Sequence, residues 1–261
     1  MAEFVRTQTA AGVARITLDS PHNRNALSAR VRAELSAALD AAADDDAARV
    51  VVIGHTGPVF CSGMDLKEEA VAEPGAEGVR ELPAILQKVA RCPKPVIARI
   101  GGPARAGGLG ILAAADIAVA ATSATFAFSE VRIGLIPAVI SVPVLHRVAP
   151  AAARELLLTG DTFDAARALH IGLVNAVADD VDAAVAGYVT SLLRGGPTAL
   201  AGTKTLVLAD LDDSDERYAA LLTLSATQFA SPEAREGARS FAEKRPPAWV
   251  VGQRVSGSAR R

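Results

Sequence analysis

The segment KPVIARIGGPARAGG, residues 94–108, contains the two features from which the fold can be inferred. Residues 96–100 are a short apolar run, which is typical of a β-strand buried on both faces. Residues 101–108 are rich in Gly and Ala, and such small residues let a backbone approach a ligand closely. A buried strand, this loop and a helix predicted from Ile111 to Ala115 together indicate an α/β protein.

A second segment upstream has the same arrangement. The run RVVVIG at 49–54 predicts another buried strand, and the loop FCSGMD at 60–65 leads into a short helix that starts at Asp65. Because the first N–H groups of a helix have no partner within it, two such loops could direct two N–H groups at one oxygen atom and form an oxyanion hole. Two ordinary strand-to-helix turns explain the spacing equally well.

The rest of the chain predicts an α/β region followed by a helical one. A hairpin is expected from Phe4–Thr9 and Val13–Leu18, and a helix with Ser28 as its N-cap follows. Further strands are predicted at 117–121, 125–128 and 173–177. Helices are predicted at 82–91, 151–158, 163–170, 182–193, 199–208, 213–229 and 231–244.

Two loops and a boundary complete this organisation. Residues 70–80 are predicted to be a loop, and the chain is expected to become mainly helical after Pro143. The sequence Gly195-Gly196-Pro197 favours a boundary, with an α/β core that holds the site at 1–195 and a helical region at 196–261.

Composition and charge exclude several functions. The chain has 261 residues, of which 50% are hydrophobic and 21% charged, as in a folded globular protein. A net charge of -2 and an aromatic content of 4% argue against a nucleic-acid-binding surface. No apolar run reaches the ~20 residues of a membrane-spanning helix. We therefore expect neither nucleic acid nor membrane as a partner.

The N-terminal residues and the cysteines indicate the cytoplasm. Glu3 and the lack of an apolar core argue against a signal peptide. Cys61 and Cys92 form no CxxC motif and no disulfide framework, which favours a reducing compartment. The four histidines have no metal-ligand spacing, so no metal site is expected.

One motif points to a different function. The sequence GLGILA at 108–113 matches the GxGxxA pattern of dinucleotide-binding proteins, and Glu130 follows about twenty residues later. That motif belongs in the tight turn directly after its strand, whereas residues 101–105 intervene here. A dinucleotide-binding oxidoreductase is therefore a minor alternative.

Several sequence blocks resemble those of the crotonase, or enoyl-CoA hydratase/isomerase, superfamily, over about residues 4–250. The blocks are NRNAL (23–27), VVVIG (50–54), FCSGMDL (60–66), KPVIARIGGPARAGG (94–108) with Asp116, FAFSEVRIGLIP (126–137), LLLTGDTF (156–163), ARALHIGLVNAV (166–177) and EGARSFAEKRPPAW (236–249). So many blocks in the family's order make the resemblance specific. It implies a spiral of ββα turns with a C-terminal helical trimerisation region, in a homotrimer or a dimer of trimers.

The resemblance also implies an acyl-CoA thioester as substrate, with no cofactor other than the coenzyme A of that substrate. The oxyanion hole would consist of the backbone N–H groups of Met64 and Gly107, which stabilise the charge that develops on the thioester oxygen. Implied contacts with CoA are Arg24, Ala26, Leu27, Ser62, Gly63, Asp65, Leu66, Phe241 and Lys244, the last two from this or a neighbouring subunit.

The acid–base residues depart from the family pattern. Typical hydratases use two glutamates; the second matches Glu130, whereas the first matches Gly110 and is missing. Burial in the apolar stretch from Phe128 to Ile133 should raise the pKa of Glu130, as suits a proton carrier. A structural ion pair of Glu130 with Arg105 or Arg132 is the alternative.

The acyl pocket is implied at Arg105, Gly110 and Pro137. Residues 138–141, AVIS, stand where the family often has a Gly-rich run, which should reshape this pocket. Arg105 could pair with a distal carboxylate of the substrate, but a surface arginine is an equally good interpretation.

We therefore expect hydration of a 2-enoyl-CoA to a 3-hydroxyacyl-CoA, with one glutamate as acid and base. A Δ3,Δ2-enoyl-CoA isomerase and a non-catalytic acyl-CoA-binding protein are the alternatives within the family.

Overall fold

The first element is an antiparallel hairpin of β1 (Val5–Ala10) and β2 (Val13–Leu18). Ala11 and Gly12 form its turn with φ of +49° and +80°. Two positive φ angles match the right-handed twist of the strands, which is why a Gly is favoured here. The predicted hairpin is confirmed in this computed structural model, which describes residues 4–69, 77–208, 222–228 and 230–250.

The main sheet extends from the hairpin through β3 (Val50–His55), β4 (Val96–Ile100), β6 (Ile117–Ala121) and β9 (Ala176–Ala178). Among the described residues its strand order is β1-β2-β3-β4-β6-β9. After the hairpin every neighbouring pair is parallel. Five of the six β3 residues are buried, as the β-branched run predicts.

A second, small sheet supports the site. It consists of β5 (Ala104–Arg105), β7 (Thr125–Ala127) and β8 (Phe163–Asp164) in the order β5-β7-β8. β5 is parallel to β7, with Arg105 opposite Ala127. This pairing brings the Gly-rich loop next to the segment that leads to Glu130.

Helices cover the main sheet and connect its strands. α1 (Ala29–Asp44) has Ser28 as its N-cap, whose hydroxyl accepts a hydrogen bond from the N–H of Val31. The other helices of this region are α2 (Leu66–Glu69), α3 (Glu77–Arg91), α4 (Gly107–Ala114), α5 (Ala138–Arg147), α6 (Pro150–Thr159), α7 (Ala165–His170) and α8 (Val181–Leu193).

Several boundaries differ from the sequence-based prediction, among them the strand predicted at 173–177, which is observed at Ala176–Ala178. α4 begins at Gly107 rather than Ile111, since all eight of its residues are buried and tertiary packing outweighs the poor helix propensity of Gly. α5 begins before Pro143, which lies inside the helix. Residues 163–164 pair with β7 as a strand, and the helix begins only after Asp164, which is its N-cap.

The chain divides into two compact units, Met1–Val189 and Thr190–Arg261. The described residues of the second unit form α9 (Pro197–Leu208), α10 (residues 222–228) and α11 (Pro232–Ala242). Ser231 is the N-cap of α11 and Pro232 its first residue, as predicted. The proposed boundary at residue 195 and the trimerisation role stay predictions.

The α/β class is confirmed. The loop was predicted at 70–80, but residues 77–80 belong to α3. Residues 70–76 lie outside the described ranges, and so does most of the predicted helix 213–229. No helix in the described ranges is long and apolar enough to cross a membrane.

Candidate active site

Asn25 fixes the first loop of the site. Its buried side chain donates from Nδ2 to the carbonyls of Thr56 (3.0 Å) and Val59 (2.8 Å), and its Oδ1 accepts from the N–H of Ser20 (2.8 Å). Arg24 and Asn25 both have positive φ, +60° and +53°. These bonds impose the turn that presents the next two residues, a role that sequence analysis missed because its partners are distant in sequence.

The second loop runs alongside the first. The N–H of Leu27 donates to the carbonyl of Gly63 (2.8 Å), and Leu27 and Met64 form an isolated parallel bridge. On the other side, the N–H of Arg105 donates to the carbonyl of Cys61 (2.9 Å). The loop 61–64 therefore lies between residues 24–27 and the Gly-rich loop.

Cys61 is an anchor of this loop and not a nucleophile. Its side chain is completely buried, and burial raises the pKa of the thiol to about 12. A thiol of this kind stays neutral at physiological pH, and the thiolate is the reactive form.

The two predicted oxyanion donors belong to loops in contact. A Cβ built with ideal geometry on Gly63 would lie 2.8 Å from the Cβ of Ala106 and 3.5 Å from the nitrogen of Gly107. Gly63 directly precedes Met64, and Gly107 is the first residue of α4, whose N–H has no partner within the helix. Among the described residues, neither the N–H of Met64 nor that of Gly107 has a backbone acceptor.

Residue 107 is restricted to glycine by packing. An ideal Cβ on Gly107 would lie 2.9 Å from Cδ1 of Leu27, which is itself fully buried. The preceding residue, Ala106, has φ +46° and ψ −118°, a conformation that costs a non-Gly residue about 1–3 kcal/mol. Strain of this size at a helix start indicates that the direction of the Gly107 N–H is held by the surrounding structure.

Glu130 lies in a 3-10 helix, Ser129–Ile133, that follows β7. Phe128 at its start is fully buried, with its ring 6.0 Å from that of Phe163. Oε2 of Glu130 is buried and has no hydrogen-bond partner among the described residues. Burial raises the pKa of this carboxyl above its ordinary value of 4.5. Within the described residues this oxygen is therefore open to a ligand, and the catalytic role of Glu130 stays a prediction.

The ion-pair alternative for Glu130 is wrong for the described part of the chain. Arg132 pairs with Asp161 and donates from Nε to the carbonyl of Thr159. Arg105 donates to the carbonyls of Ala104 and Thr125 and to Oγ1 of Thr125. Neither guanidinium neutralises Glu130, so its charge is not fixed by a structural partner.

The position of the missing glutamate is filled by other side chains. An ideal Cβ on Gly110 would lie 2.7 Å from Cγ2 of Ile140 and 3.3 Å from Cδ1 of Leu86. Both side chains are buried. The sequence change at residues 138–141 thus accounts for the missing carboxylate at 110, because Ile140 occupies the space that a side chain there would need. Only the packing of α3, α4 and α5 against one another reveals this link.

The glycines of the GxGxxA match have packing roles. Gly108 lies inside α4, where an ideal Cβ would be 2.8 Å from the Cβ of Cys61. Gly110, in the same helix, faces Ile140. Neither lies in the turn before the helix, where a dinucleotide fingerprint needs its first glycine.

Other predicted site residues surround these loops. Ala26 and Gly63 are buried, Ser62 is half-buried, and Arg24 and Leu66 are exposed. Asp65 accepts a hydrogen bond from the N–H of Lys67 (3.1 Å) and so begins α2. The CoA contacts expected of these residues stay predictions.

Three predicted residues lie further along the chain. Pro137 directly precedes α5 as its N-cap. Phe241, in α11 of the second unit, is 88% exposed, and Lys244 follows with φ +52°. Their expected contacts with the acyl group or CoA stay predictions. Within the described ranges no group of three or more His, Cys, Asp or Glu residues could hold a metal ion.

Comparisons with known proteins agree with this geometry. Residues 8–252 match the family model described as enoyl-CoA hydratase/isomerase. A Thermus thermophilus protein provisionally named an enoyl-CoA hydratase is 37% identical over 246 residues, which are 90% of this chain and 96% of that one.

Solved structures show the same fold. An enoyl-CoA hydratase from Mycobacterium avium has 44% identity and a TM-score of 0.73, covering 95% of this chain and all of that one. AtuE of Pseudomonas aeruginosa has 33% identity and a TM-score of 0.90, with 95% and 100% coverage. The predicted crotonase-like architecture is therefore confirmed.

Proposed function

Since the chain belongs to the enoyl-CoA hydratase/isomerase family, we propose that it hydrates a 2-enoyl-CoA to a 3-hydroxyacyl-CoA. The observation that carries this proposal is the buried Oε2 of Glu130, which has no partner among the described residues. In the pairing of β5 with β7, Arg105 lies opposite Ala127. Gly107 follows Arg105 by two residues, and Glu130 follows Ala127 by three. This pairing supports a common site for the oxyanion donors and the carboxyl.

The proposed chemistry uses backbone for charge and one side chain for protons. Attack of water at C3 moves negative charge onto the thioester oxygen, which accepts hydrogen bonds from the N–H groups of Met64 and Gly107. Each preorganised donor of this kind typically stabilises the transition state by ~3 kcal/mol. The Glu130 carboxylate takes a proton from the water and then delivers a proton to C2, so that it returns to its starting state.

A second candidate, Δ3,Δ2-enoyl-CoA isomerase, is favoured by the contact of Gly110 with Ile140. Where hydratases use two carboxylates to hold the water, this chain has apolar side chains at one of the two positions. Isomerisation needs no held water: Glu130 removes a proton from C2 and returns one to C4. The same two backbone donors would stabilise the dienolate between these steps.

The test compares both reactions in one protein. We expect the wild type to hydrate crotonyl-CoA faster than it isomerises 3-hexenoyl-CoA; the reverse order would establish the isomerase. Glu130→Gln keeps the size of the side chain but removes its proton transfer, so both rates should fall by ~10²–10⁴-fold.

The matched control is Glu155→Gln, which changes a glutamate that pairs with Arg167 on α7. This variant should keep wild-type rates. Full activity of Glu130→Gln would contradict the mechanism. CoA binding by a wild type without turnover of any enoyl-CoA would favour the non-catalytic family member, and NAD(P) binding without CoA binding would favour the oxidoreductase.

The proposal includes a homotrimer or a dimer of trimers in the cytoplasm. Within residues 131–145 a row of large apolar side chains is exposed: Val131, Ile133, Leu135, Ile136, Val142 and Leu145. Apolar surface of this extent usually marks a binding or subunit interface. Sedimentation analysis of the purified chain should give a mass of three or six subunits, and a monomer would contradict this part.

A further inference from the structure

A buried arginine lies behind the first loop of the candidate site. Arg32, in α1, is only 4% exposed. Its Nε donates to Oε2 of Glu81 on α3 (2.7 Å), and its Nη1 donates to the carbonyl of Leu27 (2.7 Å). Because the guanidinium carries a full positive charge, the bond to Leu27 is stronger than one between neutral groups. The carbonyl of Leu27 is therefore strongly polarised.

A chain of backbone hydrogen bonds connects this carbonyl to Met64. The carbonyl of Leu27 shares its peptide unit with the N–H of Ser28, which donates to the carbonyl of Ala26 (2.9 Å). That carbonyl shares its unit with the N–H of Leu27, which donates to the carbonyl of Gly63 (2.8 Å). The carbonyl of Gly63 shares its unit with the N–H of Met64, which has no backbone acceptor among the described residues. Three peptide units therefore join the guanidinium to an open N–H group.

Polarisation passes along such a chain of bonds. Resonance in each peptide unit links its C=O to its N–H, so a carbonyl that accepts a stronger bond makes its N–H a better donor. Hydrogen bonds in series strengthen one another by roughly 10–30% each. The chain ends at the N–H of Met64, where the proposed function places the thioester oxygen. A positive charge at its start and a developing negative charge at its end polarise every bond in the same direction.

The two proposed oxyanion donors differ in what stands behind them. Gly107 is the first residue of α4, whose eight residues direct their peptide dipoles toward its N–H. The carbonyl of Ala106, in the same peptide unit as this N–H, accepts from the N–H of Leu109 (2.9 Å). Met64 precedes α2, which has only four residues. Behind Met64, the chain of bonds and its buried charge stand in the place of a longer helix.

We propose that Arg32 is a positioning residue for the candidate site, whose charge strengthens the N–H of Met64 as a hydrogen-bond donor. The inference rests on the proposed function, since it gives this N–H the thioester oxygen as its acceptor. No block of the family resemblance includes Arg32, which acts only through the backbone. The side chain of Glu81 is 49% exposed, so solvent screens its opposing charge, whereas the charge on Arg32 is shielded from water.

Nuclear magnetic resonance tests the chain of bonds without any ligand. The sequence has two methionines, so [¹⁵N]methionine labelling leaves at most two backbone amide signals, and Met64→Leu identifies the one from residue 64. In Arg32→Met this signal should move upfield, because the N–H becomes less polarised. Arg32→Lys keeps the charge and should stay closer to the wild-type position. An unmoved signal in Arg32→Met would overturn the proposal.

The matched control for this measurement is Arg99→Met. Arg99 is also a largely buried arginine paired with a carboxylate, that of Asp182 on α8. It belongs to β4 and is not part of the chain of bonds. Its variant should leave the Met64 signal in place, and an equal upfield movement in both variants would show a general loss of structure, contradicting the proposal.

Steady-state kinetics on crotonyl-CoA measure the effect on the reaction. Arg32→Met should lower kcat by about 10-fold, equivalent to ~1.4 kcal/mol, with KM unchanged, because the lost stabilisation belongs to the transition state. Arg32→Lys should retain most of kcat. A purely structural ion pair instead predicts lower stability with an unchanged kcat, and this result would overturn the proposal, as would equal losses of kcat in the two variants.

A second variant keeps the test decisive if Arg32→Met does not fold. Arg32→Gln retains a neutral N–H donor without the charge, so it should also have a lower kcat than Arg32→Lys. Equal kcat values for these two variants would overturn the proposal.

The two proposals fail separately. A wild type that turns over no enoyl-CoA contradicts the proposed function, whereas the Met64 signal still tests the chain of bonds. Turnover of crotonyl-CoA with the same kcat in Arg32→Met and the wild type contradicts only the role of Arg32.

Discussion

The side chain of Ile140 fills the space that any side chain at Gly110 would need. The ideal Cβ of residue 110 lies 2.7 Å from Cγ2 of Ile140, a distance that real Cβ atoms avoid. Ile140 is 2% exposed, so it has no open space to move into. The packing of α5 on α4 therefore excludes a carboxylate at this position.

This contact predicts an unusual response to alanine. Gly110→Ala should lower the free energy of unfolding by ~1–3 kcal/mol because it overpacks the interface. The matched control is Gly187→Ala in α8, where nothing lies within 4 Å of the new Cβ. That change should raise stability by up to about 1 kcal/mol because Ala is the better helix former. Equal denaturation midpoints for the two variants would refute the steric account.

A double substitution should open the site for a second carboxylate. Gly110→Glu alone is expected to destabilise the protein, whereas Ile140→Ala removes the obstructing Cγ2. The double variant should hydrate crotonyl-CoA about 10-fold or more faster than Ile140→Ala, which is part of the ~10²–10⁴-fold that an acid–base group supplies. Rates are compared on variants with native circular dichroism. A double variant no faster than Ile140→Ala would show that position 110 lies outside the reacting centre.

The raised pKa of Glu130 predicts the acid side of the pH profile. Glu130 must be ionised to accept a proton, and burial favours its neutral form. Activity should therefore fall as pH decreases, and the midpoint of this fall in kcat/KM should lie above the ordinary carboxyl value of 4.5. Stopped-flow rates across the pH range provide the check, and a midpoint at or below 4.5 would show that another group controls the reaction.

If backbone N–H groups form the oxyanion hole, a change of side chain should be tolerated at Met64 but not at Gly107. Met64→Leu keeps the backbone N–H and should retain most of kcat. Gly107→Ala brings a Cβ to 2.9 Å from Cδ1 of Leu27, so it should displace the donor and lower kcat by ~10²–10³-fold. Steady-state kinetics of both variants on one substrate make the comparison. Comparable kcat values would contradict a hydrogen bond from Gly107.

Local sequence predicts those elements whose stability is decided locally. The hairpin follows from alternation around Gly12, and the starts of α1 and α11 follow from the hydroxyls of Ser28 and Ser231, which bond within their own first turns. β3 follows from its β-branched run. In each of these cases the decisive interactions join residues close in sequence or depend on burial alone.

Long-range packing decides the features that sequence analysis missed. Gly107 and Gly110 are poor helix formers, yet α4 includes them because Leu27, Leu86 and Ile140 leave no room for larger side chains. Ile140 is thirty residues from Gly110, and Asn25 is more than thirty from the carbonyls it holds. No local pattern in one sequence reveals such contacts, whereas Glu130 could be identified because the family resemblance supplies its position.

Exchange of the C2 proton tests the central claim, that Glu130 alone carries protons at a thioester held by two backbone N–H groups. The measurement is deuterium incorporation at C2 of butyryl-CoA in D₂O, followed by NMR, which requires neither hydration nor isomerisation. The wild type and Glu155→Gln should exchange this proton, and Glu130→Gln should do so ~10²-fold more slowly or not at all. Exchange at the wild-type rate in Glu130→Gln would contradict the account.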